Sequence, residues 1–213
     1  MIKKLTPIEI LDTIGQLFPD AKCELVHSNN YEMVVAVILS AQTTDASVNK
    51  VTPALFKAYP TIYDLANADI KDIEEHIHTL GLYRNKAKSI HHMANSVVDR
   101  YNGIIPSNMK DLCTLEGVGR KCANVILSEC FDVPCIAVDT HVNRVSKRLT
   151  LAKPQDSLLE VENKLKRKLP RDRWTQAHHQ LIFFGRYFCT SQRPKCNDCP
   201  FISFCAYLKH KTK

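Results

Sequence analysis

The chain lacks any long apolar run. The longest, MVVAVIL at 33–39, is seven residues, far short of the ~20 needed to span a bilayer, so the sequence excludes a transmembrane helix. The start, MIKKLTPIEILDTIGQLF, is basic and then apolar, but Glu9 and Asp12 interrupt its apolar part. It reads as an amphipathic helix and not as a signal peptide. Strand-like alternation is missing except in VPCIAV (133–138), and there is no internal repeat or low-complexity stretch. The composition, 45% hydrophobic and 24% charged, is that of a folded soluble protein. What remains is a cytoplasmic, all-α protein of one large domain or two small ones.

A disulfide framework is missing too, because the nine cysteines are an odd number. Cys23, Cys113, Cys122, Cys130 and Cys135 are scattered among apolar residues and read as small core hydrophobes. Cys189, Cys196, Cys199 and Cys205 instead fall within 17 residues. A cysteine cluster in a cytosolic protein suggests a metal site. The spacing C-x6-C-x2-C-x5-C is neither the paired arrangement of common zinc sites nor the ferredoxin run. It specifies four thiolates and leaves zinc and [4Fe–4S] open. Arg193 and Lys195 lie between the first two cysteines, where a metal-tethered loop would hold them rigidly against backbone phosphates.

The net charge of +7 is unevenly spread. Residues 23–133 carry 10 basic and 13 acidic side chains, whereas residues 134–213 carry 16 and 6. The C-terminal part supplies a basic field suited to an anionic partner such as nucleic acid. The charge break near 133 suggests two helical lobes with a cleft between them.

Helical signals fill the rest. Thr6-Pro7-Ile8-Glu9 is a capping box. Residues 30–41 are apolar on all sides and read as a buried helix. Residues 45–58 keep helical spacing, with Pro53 expected to kink or bound them. Further helices are expected at 61–66, 69–78, 85–101, 107–114, 120–131, 140–150, 157–168, 171–188 and 200–208.

Of the six glycines, two flank Val118 in LEGVGRK. Joined by this turn, helices 107–114 and 120–131 make a helix-hairpin-helix. The second helix has no Ser, Thr, Asn or Asp cap, so its first N–H groups lack an internal partner. Gly117 and Gly119 let a phosphate oxygen approach them. Arg120 and Lys121 are cations at the positive end of the helix, each costing roughly 0.3–1 kcal/mol. Lys121 lies nearly opposite the apolar stripe of Ala123, Ile126, Leu127 and Cys130. The helix end and Arg120 both disfavour its ammonium form, and a neutral amine is a nucleophile able to form a Schiff base with a sugar aldehyde carbon.

Asp139 opens the helix 140–150, and N-capping would hold its carboxylate ionised. The helix 120–131 carries the chain about 18 Å away at ~1.5 Å per residue. Residues 132–138 can return it about 23 Å at ~3.3 Å each, so Asp139 can sit at the lysine's end. Arg144, Lys147 and Arg148 form a basic stripe, either a solvated face or a phosphate rail.

Together LEGVGRK, VDTHVNRV and the cysteine run, with ILSAQTTDASVNK and TLGLYRNKA, resemble the endonuclease III family of DNA glycosylases in the helix-hairpin-helix superfamily. The likeness covers essentially the whole chain. It implies a six-helix domain at 23–133 and a cluster domain of residues 1–22 and 134–213, with DNA across the cleft and the four cysteines holding [4Fe–4S]. It implies removal of oxidised pyrimidines from damaged duplex DNA by a monomeric enzyme, nucleoid-associated if bacterial. Strand cleavage 3′ to the abasic sugar would follow by β-elimination. Lys121 matches the Schiff-base lysine, Asp139 the catalytic aspartate, and Gln42 and Leu82 the residues filling the gap of a flipped base. Arg144, Arg193 and Lys195 join Gly117 and Gly119 as expected DNA contacts.

Two positions depart from the family pattern: Glu116 replaces a hairpin proline, putting a carboxylate where it should repel DNA, and Cys122 stands for threonine. A monofunctional mismatch glycosylase on the same scaffold ranks second, since those typically lack the lysine and the adenine enzymes carry a further C-terminal domain. A rival from another class is a non-catalytic Fe–S or zinc DNA-binding protein, in which borohydride would trap no adduct with thymine-glycol DNA.

Overall fold

In the computed structural model, which describes residues 5–211, side-chain caps set most helix starts. The basic start at residues 1–4 lies outside the described residues. Helix α1 (Pro7–Leu17) opens with a capping box: the Glu9 N–H donates to Thr6 Oγ1 and the Thr6 N–H to Glu9 Oε2 at 2.7 Å. The same reciprocal device starts α4 (Ile62–Ala66) at Thr61 and α10 (Leu158–Lys168) at Ser157. Asn29, Thr44, Asp69 and Asn108 each accept a backbone N–H at the heads of α2 (Asn30–Leu39), α3 (Asp45–Ala58), α5 (Ile70–Ile77) and α7 (Met109–Leu112). The remaining helices are α6 (Tyr83–Tyr101), α8 (Arg120–Phe131), α9 (Thr140–Arg148), α11 (Trp174–Phe183) and α12 (Ala206–Lys211). There is no strand among the described residues; VPCIAV forms neither strand nor helix, with Cys135 to Val138 buried.

The chain divides into two compact units. One is continuous, Glu24–Val133, and holds α2 to α8. At its centre α2 is buried at Tyr31 and from Met33 to Leu39; an apolar run with no polar face has nowhere to go but the interior. It packs on α6 and α8, while α4 and α5 lie against α6, which turns Ile90, Met93, Ala94 and Val97 inward.

The other unit joins residues up to Cys23 with those from Pro134 onward. Its core brings Ile10, Leu11 and Ile14 of α1 together with Val142 and Val145 of α9, Val161 and Leu165 of α10, and Leu181 and Phe184. Arg173 Nη2 donates to Asp12 Oδ1 at 2.7 Å, pinning α1 to the turn before α11.

Of the two outcomes open at Pro53, helix α3 does not end there; burial of Val48, Val51, Thr52 and Leu55 on one face offsets the ~3 kcal/mol that an interior proline costs. Two local expectations are corrected. The expected helix 171–188 is three pieces: a 3-10 turn at Arg171–Arg173, then α11, then a π-helical segment at Phe184–Phe188. Cys113 is exposed, its Sγ 3.6 Å from Met109 Sδ, and is no core hydrophobe.

Candidate functional site

The hairpin between α7 and α8 is built on Gly117. Its φ is +79°, and a Cβ there would stand 2.9 Å from Ile38 Cγ2. Left-handed backbone and close packing both demand glycine. Leu115 and Val118 anchor the turn in the core, and the Val118 N–H donates to the Leu115 carbonyl at 3.1 Å. Gly119 is the N-cap of α8 and offers no side-chain bond. A Cβ at Gly119 would meet nothing within 4 Å, so the space before the uncapped helix end is open. Ala123, Ile126 and Leu127 face inward, joined by Asn124 and Ser128. Lys121 stands exposed in the first turn and makes no hydrogen bond or ion pair among the described residues.

Glu116 does not present a bare charge. His92 Nδ1 lies 2.8 Å from Glu116 Oε2, and the Ser89 hydroxyl donates to Oε1 at 3.2 Å. The carboxylate ties the hairpin to α6, doing by tether what a proline does by ring stiffness.

Gln42 and Leu82 share an unusual backbone. Both are left-handed, at φ +53° and +59°, a conformation costly to residues with a Cβ. Leu82 is the N-cap of α6 and is 58% exposed. An exposed leucine held in a strained conformation is not packing a core. Sequence reasoning missed the residue linking the two loops. Lys86, one turn into α6, is only 5% exposed and donates to Thr43 Oγ1, beside Gln42. Burial pulls its pKa down. In RNKAK it looked like one more surface cation, and nothing in the spacing signalled otherwise.

Asp139 caps α9, accepting the Val142 N–H at 2.7 Å. Val142, Val145 and Leu149 bury one face of that helix. Two residues of the basic stripe opposite, Arg144 and Arg148, are neither solvated nor free. Arg144 donates from Nη2 to the Gly185 carbonyl at 2.7 Å and from Nε to the Cys189 carbonyl at 3.2 Å. Burial pulls its pKa down, with like-charged Arg148 adding to the effect. Arg148 donates to the Thr190 carbonyl at 2.8 Å and to Cys189 Sγ at 3.3 Å, with its guanidinium 4.0 Å from the Tyr207 ring centroid. These arginines fasten α9 to the cysteine loop.

The π-helical segment delivers the first cysteine: the Cys189 N–H reaches the Phe184 carbonyl, five residues back. Cys189, Cys196, Cys199 and Cys205 line one small cavity with Phe184, Phe188 and Leu149. Among the described residues no three His, Cys, Asp or Glu side chains converge on a single metal-ion position. Burial pushes the Cys199 thiol up to about 11, and the neighbouring cysteines add to the effect. A thiolate at Cys199 therefore needs positive charge beside it, and four sulfur donors walled largely by apolar side chains fit a thiolate-bound metal group. Arg193 and Lys195 are exposed on the loop between the first two cysteines.

Among the described residues, an all-helical fold carrying this glycine hairpin defines a class, the helix-hairpin-helix proteins. The family described as HhH-GPD superfamily base excision DNA repair protein matches residues 35–171, including the hairpin, Lys121 and Asp139. The chain is 52% identical over 195 residues to endonuclease III of Bacillus subtilis (strain 168), covering 92% of this chain and 89% of that one. It is 37% identical over 206 residues to endonuclease III of Escherichia coli (strain K12), covering 97% of each. A solved trapped endonuclease III–DNA covalent intermediate, an estranged-adenine complex, superposes with a TM-score of 0.94 at 47% identity over 100% of both chains. The chain belongs to the endonuclease III family.

Proposed function

We propose that this protein is a bifunctional DNA N-glycosylase and AP lyase of base excision repair, acting on oxidised pyrimidines in duplex DNA. The observation that carries the reading is Lys121: an exposed, unpaired amine at the open, uncapped end of α8, directly after the glycine hairpin. Its nitrogen lone pair attacks C1′ of the damaged nucleotide, the C1′–N bond breaks and the base leaves. Ring opening gives an iminium. Loss of a C2′ proton then expels the 3′ phosphate, and water hydrolyses the imine to return the free amine. Asp139, held by its capping bond, stabilises the positive charge developing on the sugar and assists the amine.

Gln42 and Leu82 are assigned to the gap left by the extruded nucleotide, where unstacking costs a few kcal/mol. The Gly117–Gly119 backbone binds phosphate as a helix N-terminus does. Arg193 and Lys195 contact the DNA backbone from the cysteine loop. Arg144, with two donor nitrogens already on carbonyls, acts on DNA through that loop. The two units are read as the six-helix domain and the cluster domain. The enzyme works as a monomer in the cytoplasm, at the nucleoid in a bacterial cell, and no helix of the described residues is long and apolar enough to cross a membrane.

Cys189, Cys196, Cys199 and Cys205 would hold a [4Fe–4S] cluster, whose iron would supply the positive charge that a Cys199 thiolate needs and cross-link the loop. Metal analysis should return iron and acid-labile sulfide in equal amounts, with visible absorption from thiolate-bound iron. Stoichiometric zinc with no colour would overturn the cluster assignment.

Sodium borohydride with a thymine-glycol duplex tests the main reading, because reduction of the iminium leaves a covalent protein–DNA adduct. No adduct would favour a non-catalytic DNA-binding protein. Binding to uncleaved duplex should weaken with salt at a log–log slope of about −0.9 per phosphate contacted. A flat salt response would contradict the basic cluster domain as a DNA-binding element.

A further inference from the structure

The C-terminal unit carries a basic groove that the repair chemistry leaves unused. It lies between the end of α9, the 149–154 loop, the second half of α10 and the start of α12, with a volume of about 510 Å³. Five cations line it: Lys147, Lys153, Lys164, Arg167 and Lys168. Two are already committed. Lys164 holds both oxygens of buried Asp156 at 2.6 Å, and Lys168 Nζ donates to the Leu151 carbonyl at 2.6 Å. Lys147, Lys153 and the terminal nitrogens of Arg167 make no ion pair among the described residues. Helix C-termini attract cations, which accounts for Lys147, Arg167 and Lys168. Lys153 lies beyond α9, four residues before the Ser157 cap of α10; its backbone N–H donates to Asp156 Oδ2 at 2.6 Å and its charge acts on that carboxylate, while its ammonium makes no ion pair among the described residues.

A second, independent observation lies in the same groove. Thr150, in the lining, has φ +58°. It sits just past α9, and the following Leu151 and Ala152 N–H groups return to the Ser146 carbonyl at 2.8 and 3.1 Å. That position of a helix end favours glycine, and a β-branched residue there is a true outlier. Strain of this kind persists where function retains it. Here it places a hydroxyl-bearing residue among the cations.

We infer that this groove is a binding site for a compact oligophosphate, such as the phosphate chain of a nucleotide. Several cations around one concavity match adjacent phosphates in a chain. A DNA backbone spreads its charges along an extended track, which a concave pocket of this size does not follow.

The test is calorimetric titration of the full-length protein with inorganic tripolyphosphate, with an undamaged duplex in parallel. Wild type should bind tripolyphosphate, and Lys153→Glu with Arg167→Glu should weaken binding at least about tenfold, the worth of one charge-assisted contact. The single exposed cation change Arg171→Glu, outside the groove, should leave it within about twofold. Thr150→Gly should raise the thermal midpoint yet weaken tripolyphosphate about threefold or more, since relief of strain and loss of the hydroxyl act in opposite directions. No tripolyphosphate binding, equal loss in Arg171→Glu, or unchanged affinity in the folded groove double variant would each overturn the site. Equal loss of duplex and tripolyphosphate binding in the double variant would make this a DNA contact and overturn the small-ligand assignment.

Discussion

Lys121→Ala should abolish borohydride trapping and strand cleavage while leaving the fold intact. The side chain is exposed, so its removal opens no cavity. It also takes a cation away from the positive end of α8, which should leave stability unchanged or raise it by about 0.3–1 kcal/mol. Loss of activity therefore cannot be laid to unfolding, and thermal melting beside the trapping assay separates the two. Lys121→Arg is the sharper companion. It keeps the charge that attracts DNA, but a guanidinium stays protonated and forms no Schiff base. Duplex affinity should survive in that variant with trapping at background. A persisting adduct in either variant would move the nucleophile to another amine.

Asp139→Asn should slow base release by about 10²–10⁴-fold, the range for loss of a positioned acid–base or charge-stabilising group. Its control is built into the helix end. Asn caps nearly as well as Asp, so the bond to the Val142 N–H has a replacement and the thermal midpoint should barely move. Asp139→Ala removes cap and charge together and should add a stability cost of about 1 kcal/mol. A rate loss common to both variants, with destabilisation confined to Ala, assigns catalysis to the charge. Should the Asn variant release base at the wild-type rate, capping is all that Asp139 does.

Much of this site was readable in the residues because the signals are local. The capping box at Thr6 and the all-round apolar run of α2 need no partner to be recognised. A glycine pair with no capping side chain predicts an open helix end, and Gly117 answers with a positive φ and a tight approach to Ile38. What escaped is tertiary. Arg144 and Arg148 sit at helical spacing on a polar face, and only the carbonyls at Gly185, Cys189 and Thr190, some forty residues on, turn them inward. Lys86 is indistinguishable from Lys88 until Thr43 supplies its acceptor. The π-helical segment has no period of its own in the sequence. Pro53 left a kink and an end both open, and burial along α3 decides against the end. Glu116, a departure from the family's hairpin, acquires its meaning from His92 and Ser89 on another helix.

The unit that holds the cysteines is assembled from both ends of the chain, with α1 buried against residues made more than a hundred positions later. During translation, at ~5–20 residues per second, Ile10, Leu11 and Ile14 leave the ribosome on the order of ten seconds before α9 and α11 exist to cover them. The continuous unit can close on itself in that interval. The N-terminal helix cannot, and it waits as an unsheltered amphipathic segment. Chaperone capture of the nascent chain should therefore concentrate at its first turns, and a stall in synthesis before the cysteine loop would leave a finished hairpin domain trailing an unburied helix.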